Sequence, residues 1–224
     1  MATVQDMISR VRSSFKLIAA DNVISNRVVA DELKSAAIKL IKQQTDKRRL
    51  FSSDNIFTHI DCLEMQAVPL AECCDYKDPC MIARSKLKLP RIAENIYGPL
   101  VQGVYSINGK VRFDYADADR YANLLKMYPN KKGLRYWWIH NNYLYVTDSL
   151  IEEVNVSPFF EDFVDARDYG CGNSLECPTN PLDMEFKCPG YLEADVVNMA
   201  RDMIQRDYKR SIDDKTVNNN DESR

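Results

Sequence analysis

The residues of this chain with the greatest capacity for chemistry are its seven cysteines and two histidines. Six of the cysteines form two groups of three, and each group offers three thiols to a metal ion. Neither group contains the C-x2–4-C spacing with which one turn presents two ligands to tetrahedral zinc. We therefore expect unpaired thiols and no cofactor, with a zinc site as the alternative. The groups are Cys73, Cys74 and Cys80, and Cys171, Cys177 and Cys188, while Cys62 stands apart.

The cysteine count and the first residues also indicate the compartment. Seven is an odd number, and residues 1–6 have neither the basic nor the apolar stretch of a secretory signal. No apolar run approaches the roughly 20 residues that a membrane span needs. We expect reduced thiols, no membrane contact, and a protein made in a cytoplasm or carried in a particle assembled there.

Other catalytic arrangements have little support in the sequence. His59 and His140 each lie in a strand-like run, where a structural role is the usual one. There is no glycine-rich nucleotide-binding loop and no nucleophile-elbow motif. Asp114, Asp117 and Asp119 lack the spacing of a calcium loop, and we interpret them as helix-capping residues. The sequence predicts that the protein is not an enzyme. A Ser-His-Asp or Cys-His arrangement stays open as an alternative, because its members need only be neighbours in the folded protein.

Charge is distributed unevenly along the chain. The net charge is −3, but residues 1–50 carry ten basic and five acidic side chains, whereas residues 151–224 carry eight basic and 17 acidic ones. Three basic clusters have three possible interpretations: solvated surface, contacts with protein, or contacts with phosphate. The negative net charge of the whole chain argues against a free DNA-binding protein. The clusters are Lys47-Arg48-Arg49, the run from Arg84 to Arg91, and Lys131-Lys132-Arg135.

Two amphipathic helices are predicted in residues 1–50. Thr3 is a suitable N-cap for the first helix, and Ser25 for the second. Apolar residues recur at helical spacing in both, and such a helical hairpin must bury its stripe against another element. The stripes are Val4, Met7, Ile8, Val11, Phe15 and Ile18, and Val29, Leu33, Ala36, Ala37, Leu40 and Ile41.

Residues 51–160 predict a β-rich core with an inserted helix near Tyr121–Met127. Alternation over Ile56–Cys62 indicates a first strand, and Ile151–Val156 a last one. Asn108-Gly109 and Asn141-Asn142 each predict a hairpin, because Asn and Gly accept the positive φ of tight turns. The second hairpin concentrates large aromatic side chains, which favour interfaces as well as cores. The predicted contacts with other subunits or partners are Trp137, Trp138, Tyr143 and Tyr145, together with Lys47, Arg48 and Arg49.

The remaining segments complete an α+β fold. Residues 161–190 predict an extended loop that a partner orders, because they are rich in glycine and proline. A helix over 191–212 and a polar, mobile tail over 213–224 follow. The expected architecture is an N-terminal helical hairpin, a small antiparallel sheet built from two β-hairpins with one inserted helix, and a C-terminal helix.

Five segments within residues 5–155 follow one another in a recognisable order. In that order they resemble the neck-ring, or head–tail connector (adaptor), proteins of crAss-like tailed bacteriophages. The segments are the helix pair that ends in Lys47-Arg48-Arg49-Leu50-Phe51, then residues 58–65, residues 84–90, residues 105–109 and residues 139–147.

The resemblance implies a structural protein of the virion neck or tail, assembled in the host cytoplasm. Such adaptors form rings, expected here to be dodecameric, that contact the portal protein and other neck or tail proteins and extend the channel through which DNA passes. The uneven charge then suggests that basic helices of one subunit meet the acidic C-terminal part of the next. The alternative is a small cytoplasmic binding module, a regulator that binds zinc or nucleic acid.

Overall fold

The computed structural model describes residues 2–15, 24–46, 56–72, 81–117, 119–121, 123, 135–162 and 180–221. The chain divides into two compact units. The helical unit comprises Met1–Ile56 together with Cys177–Arg224, and the barrel unit comprises Phe57–Glu176. The two ends of the chain therefore share one unit, and the middle of the chain forms the other.

The described residues of the helical unit form three helices: α1 (Val4–Phe15), α2 (Asn26–Asp46) and α3 (Glu193–Asp221). In α1, Asp6 N–H donates to Thr3 Oγ1 at 3.1 Å and Thr3 N–H donates to Asp6 Oδ2 at 3.0 Å, a reciprocal capping box. These bonds to Thr3 hold the pKa of Asp6 below its ordinary value. Val28 N–H donates to Ser25 Oγ at 3.3 Å at the start of α2. Both predicted caps are confirmed.

The helical hairpin buries its apolar stripe within the chain. All six predicted stripe residues of α2 are buried, and α3 packs against both α1 and α2. The third helix therefore covers the stripe of α2 within the chain, and this stripe is not left for another subunit. Of the predicted α1 stripe, Ile18 and the side chain of Phe15 lie outside what the structure describes. The buried residues of α1 and α3 are Val4, Met7, Ile8 and Val11, and Val196, Ala200 and Ile204.

The end of the predicted 161–190 loop packs against the N-terminus. Val4 N–H donates to Met184 O at 3.0 Å, and Phe186 N–H donates to Ala2 O at 2.9 Å. Two short 3-10 turns, Pro181–Asp183 and Gly190–Leu192, lead into α3. Residues 163–179, the larger part of the predicted loop, lie outside the described residues. The helix α3 continues to Asp221, into the segment predicted as a tail.

Seven strands close into a barrel in the order β1-β2-β8-β7-β6-β5-β9. Neighbouring strands are antiparallel except β6 and β7, which are parallel. The strands β3 and β4 form a separate two-stranded hairpin. The prediction of a small sheet built from two hairpins was wrong, because long-range pairs with β1, β2 and β9 join both hairpins into a closed barrel. The strands are β1 (Ile60–Pro69), β2 (Met81–Ser85), β3 (Glu94–Asn95), β4 (Gly98–Pro99), β5 (Val101–Ser106), β6 (Arg112–Tyr115), β7 (Tyr136–His140), β8 (Tyr143–Val146) and β9 (Glu153–Pro158).

Both predicted hairpins are present in the barrel. Asn141 and Asn142 have φ of 50° and 65°, as a type I′ turn between β7 and β8 requires. The turn between β5 and β6 is longer: Gly109 N–H donates to Ser106 O at 2.8 Å, and Gly109 has φ of 66°. Of the inserted helix, only residues 119–121 and 123 are described, and they are helical.

A bulge in β1 changes the predicted first strand. The strand begins at Ile60 rather than Ile56, and its register against β9 shifts between Ile60 and Leu63. Cys62 lies in this shift at φ of 57°, and its N–H donates to Asn155 Oδ1 at 3.0 Å. A bulge adds one residue to one side of a ladder, so it interrupts the alternation on which the sequence prediction depended.

No helix among the described residues is long and apolar enough to cross a membrane.

Replacement of Gly109 by valine is expected to destabilise the barrel unit. A Cβ at Gly109 meets no atom within 4 Å, so the penalty comes from the positive φ alone, about 1–2 kcal/mol. The melting temperature should fall by roughly 2–8 °C. Gly109→Asn is the matched control. Because asparagine tolerates this conformation, the melting temperature of this variant should fall less. Equal melting temperatures for the valine variant and the native protein would contradict the turn assignment.

Candidate assembly site

The tryptophans predicted as interface residues are core residues of the barrel unit. Trp137 exposes 4% of its surface and Trp138 exposes 1%, and they face opposite sides of β7. Trp137 packs in the barrel interior with Phe113 and Leu144, whereas Trp138 stacks between Tyr121 and Tyr145 outside it. The β7–β8 hairpin is thus covered on both faces, which explains why its sequence is aromatic rather than alternating.

The other predicted contacts have different surroundings. Tyr145 is buried, so it and the tryptophans offer no exposed surface to a second chain, while Tyr143 is half-buried. The Arg84 guanidinium carbon lies 4.6 Å from the Tyr143 ring centroid and the Lys88 Nζ lies 5.6 Å from it. These are distances for cation–π contact. Lys47, Arg48 and Arg49 lie outside the described residues, and their role stays a prediction.

Carboxylates match the basic run from Arg84 to Arg91. Three of its four basic residues form ion pairs with acidic side chains of the barrel unit. Phosphate binding depends on cations that are not already neutralised by carboxylates. We therefore expect this surface to bind nucleic acid only weakly. Of the other basic clusters, residues 131 and 132 lie outside the described residues. The three pairs are Arg84 with Glu72, Lys86 with Glu64 (Nζ to Oε2, 2.8 Å) and Arg91 with Glu161 (Nε to Oε2, 3.0 Å).

One histidine lies beside a serine. His59 Nδ1 is 2.8 Å from Ser157 Oγ, the distance at which a base can activate a hydroxyl. His59 is exposed, and among the described residues no carboxylate hydrogen-bonds to its ring. A general base needs a group that orients it, so we assign no catalytic role to the pair. His140 lies with its ring centroid 6.4 Å from that of Tyr145.

The described cysteines are not activated nucleophiles. Burial and the nearby Glu193 raise the pKa of the Cys188 thiol to about 12. Desolvation and the Glu153 carboxylate raise the pKa of Cys62 as well. Both groups therefore remain thiols at neutral pH. No three potential ligands come together as a metal site within the described ranges, which exclude Cys73, Cys74, Cys80, Cys171 and Cys177.

The β3–β4 hairpin presents an apolar apex that sequence reasoning missed. Asn95 pairs with Gly98 across the turn, which leaves Ile96 and Tyr97 at the tip, 75% and 52% exposed. Turn centres usually hold polar residues, so two adjacent large apolar side chains there are unusual. The available signal was Asn95 followed three residues later by Gly98, a pattern typical of type I turns.

This apex is held rigidly on the barrel unit. Tyr97 N–H donates to Asn95 Oδ1 at 2.8 Å, and Leu100 N–H donates to Ala93 O at 2.8 Å. Gly98 has φ of 119°, and a Cβ at this position would come within 2.7 Å of the Tyr115 ring. The Tyr115 hydroxyl donates to Asp117. Desolvation and this bond raise the pKa of Tyr115, so its hydroxyl stays a donor.

A depression of about 410 Å³ opens on the surface of the helical unit. The Arg10 guanidinium spans one side of it to Glu193, with Nη1 2.6 Å from Oε2. Ala194 and Val197 of α3 give it an apolar part, and the exposed Tyr191 neighbours its lining residue Gly190. The full lining is Arg10, Gly190, Glu193, Ala194, Val197 and Asn198.

Carboxylates meet where α2 packs on α3. Glu32 Oε2 is buried, and no donor among the described residues reaches it. Burial raises the pKa of Glu32 above its ordinary value, and the like charges of Asp207 and Asp31 add to the effect. The charged form of Glu32 is therefore disfavoured in the folded helical unit.

A family model described as phage tail ring protein 2, of the crAss ring group, matches residues 6–223. The chain belongs to this family. It is therefore a crAss-like phage neck or tail ring protein, and the predicted resemblance is confirmed. The match extends beyond residue 155 and covers the C-terminal part as well. A search of curated proteins found no match.

Membership in this ring family sets the kind of site to expect. The family description indicates a structural component of the phage tail, which implies an oligomer, a place in the virion and other tail proteins as partners. The relevant surfaces are then those that meet neighbouring chains. The exposed apex, the depression and the charged faces of the ring protein are the described candidates.

Replacement of Glu32 by glutamine is expected to stabilise the ring protein at pH 7. The folded pKa lies above the ordinary value of 4.5, so the folded state favours the protonated form and loses stability as pH rises through that pKa. Thermal unfolding should show a melting temperature about 1–3 °C higher for the variant at pH 7. This gain should vanish below pH 4.5, where the native Glu32 is protonated.

Asp31→Asn is the control for this prediction. Asp31 is exposed and contributes least to the shift, so its replacement should give a smaller gain. Two results would contradict the raised pKa of Glu32 in the folded protein. One is a melting temperature for Glu32→Gln below that of the native protein at pH 7, and the other is a gain that persists unchanged at pH 4.

Proposed function

We propose that this protein forms a ring in the virion neck that joins the portal to the tail and extends the DNA channel. The observation that carries the proposal is the match to the ring family over residues 6–223. A dodecamer follows if the ring adopts the symmetry of a twelve-subunit portal. The portal and other neck or tail proteins would be its partners, and it would assemble in the host cytoplasm.

The structure supports a building block rather than a catalyst. Each unit closes its own core: α3 covers the helical hairpin, and the barrel interior is filled by side chains from all seven strands. Cores that are buried within one chain leave exposed tips and charges as the means by which such a building block would meet its neighbours. A ring needs heterologous contacts, in which one surface of a subunit meets a different surface of the next subunit.

Passage of DNA is consistent with the charge arrangement. Three of the four cations in the run from Arg84 to Arg91 are matched by Glu72, Glu64 and Glu161, so these three do not form an open phosphate-binding surface. A channel wall must let DNA slide without retention, and matched or acidic surfaces serve that purpose.

Quantitative peptide mass spectrometry of purified virions tests this function. The amount of the ring protein is calibrated against the portal protein. A ratio near one copy per portal subunit is expected if the two rings share symmetry. Absence from virions would discard the proposal. A whole-particle reconstruction then places the ring, with a position adjacent to the portal expected and a position at the distal tail contradicting the neck assignment.

Charge reversal at Lys47, Arg48 and Arg49 tests how subunits meet. If these basic residues face the acidic C-terminal part of the next subunit, replacement of all three by glutamate should reduce the copies per portal subunit in virions. The loss arises from like-charge repulsion across the contact. Replacement of the three by glutamine is the milder comparison. Native copy numbers in the glutamate variant would contradict this arrangement.

A further inference from the structure

We propose that the apolar apex of one subunit inserts into the depression on the helical unit of the neighbouring copy in the ring. The apex is Ile96 and Tyr97, and the depression is the one lined by Arg10, Gly190, Glu193, Ala194, Val197 and Asn198. The inference rests on the proposed ring function and names the contact that builds the ring.

The apex has the properties of an interface anchor. Ile96 and Tyr97 are adjacent, exposed by 75% and 52%, and form the two central positions of the turn between Asn95 and Gly98. Exposed apolar residues scattered singly need no explanation, whereas a paired tip does. Tyrosine is among the residue types that dominate binding energy at protein interfaces.

Rigidity makes this tip suitable for insertion. The bond from Tyr97 N–H to Asn95 Oδ1 and the close approach of Gly98 to the Tyr115 ring fix the turn before any partner arrives. Ala93 N–H donates to Phe159 O and Phe159 N–H to Leu100 O, both at 2.9 Å, which ties the base of the hairpin to the barrel unit. A preordered tip loses little conformational entropy on binding.

The depression matches this occupant in size and chemistry. Its volume of about 410 Å³ lies in the range of about 300–1,000 Å³ found for ligand pockets. Ala194 and Val197 offer apolar surface for Ile96. Arg10 on the rim can lie over the ring of an incoming Tyr97, with Glu193 holding the guanidinium in place.

Two different surfaces that complement each other also meet the requirement of a ring. A heterologous contact closes into a ring when the rotation between copies permits. The surface area that one apex can bury is far smaller than the roughly 1,200–2,000 Å² buried in a standard interface, so this contact alone is weak. Affinity then rises when the two ends of a growing ring meet, or when a neighbouring ring holds the copies together.

Photo-crosslinking of the full-length protein tests the contact. A benzophenone amino acid replaces Tyr97, and this protein is mixed at high concentration with isotopically labelled native copies. Mass spectrometry is expected to find the crosslink in residues 190–198 of a labelled copy, which separates contact between copies from contact within one chain. Crosslinks between copies that fall elsewhere, or none between copies, would overturn the proposal.

A matched pair of variants in the labelled copy sharpens this result. Ala194→Arg places a long charged side chain in the depression, and Ser35→Arg adds the same charge at an exposed position of α2. The crosslink should fall at least tenfold with Ala194→Arg and persist with Ser35→Arg. Equal yields from both variants would exclude the depression as the docking site.

Incorporation into virions distinguishes this inference from the function on which it rests. The apex variant Ile96→Ser with Tyr97→Ser should lower the copies per portal subunit, while Leu150→Ser, which alters a residue 88% exposed in another loop, should not. A native count in the apex variant would discard only the apex contact. Absence of the native protein from virions would discard the proposed function itself.

Discussion

Closure of the barrel by β1 is the constraint on which the rest of the barrel unit depends. Residues Ile60, Leu63 and Glu64 pair with β9, and residues Met65 to Pro69 pair with β2. One strand therefore serves both neighbours in succession, and it must bend to do so. The bulge at Cys62, with its positive φ and its bond to Asn155, accompanies that bend.

A closed barrel has no free strand edge in its wall. Sheet edges are the usual places for another chain to add a strand, and closure removes them. In the described part of the helical unit the apolar stripe of α2 is covered in a comparable way, because α3 packs on α2. Among the described residues, the surfaces left open to a neighbouring copy of the ring protein are turns, the surface depression and charged faces. These features need no rearrangement of either core.

The charges follow the same logic. Within the barrel unit, carboxylates pair with Arg84, Lys86 and Arg91, which lie near one another in sequence. Between distant parts of the chain the net charge stays uneven: residues 1–50 are basic and residues 151–224 are acidic. Local pairs reduce non-specific attraction to DNA, and a long-range imbalance can orient one copy against the next. A ring protein that must hold its neighbours benefits from such a long-range imbalance.

The sequence by itself determined the local features of this protein. The caps at Thr3 and Ser25, the six-residue stripe of α2 and the two Asn-containing turns depend on neighbouring residues, and all are present. The order of five short segments was likewise enough to indicate the ring family, which the match over residues 6–223 shows.

Only the tertiary structure decided how these elements combine. Closure of the barrel and the pairing of the two chain ends join residues far apart in sequence, for which no local pattern exists. The bulge at Cys62 removed the alternation that would have revealed the length of β1. Trp137, Trp138 and Tyr145 were predicted as contacts, but an aromatic run has the same composition in a core as in an interface. Burial on both faces of β7 and β8 separates the two cases, and burial is a property of the folded chain.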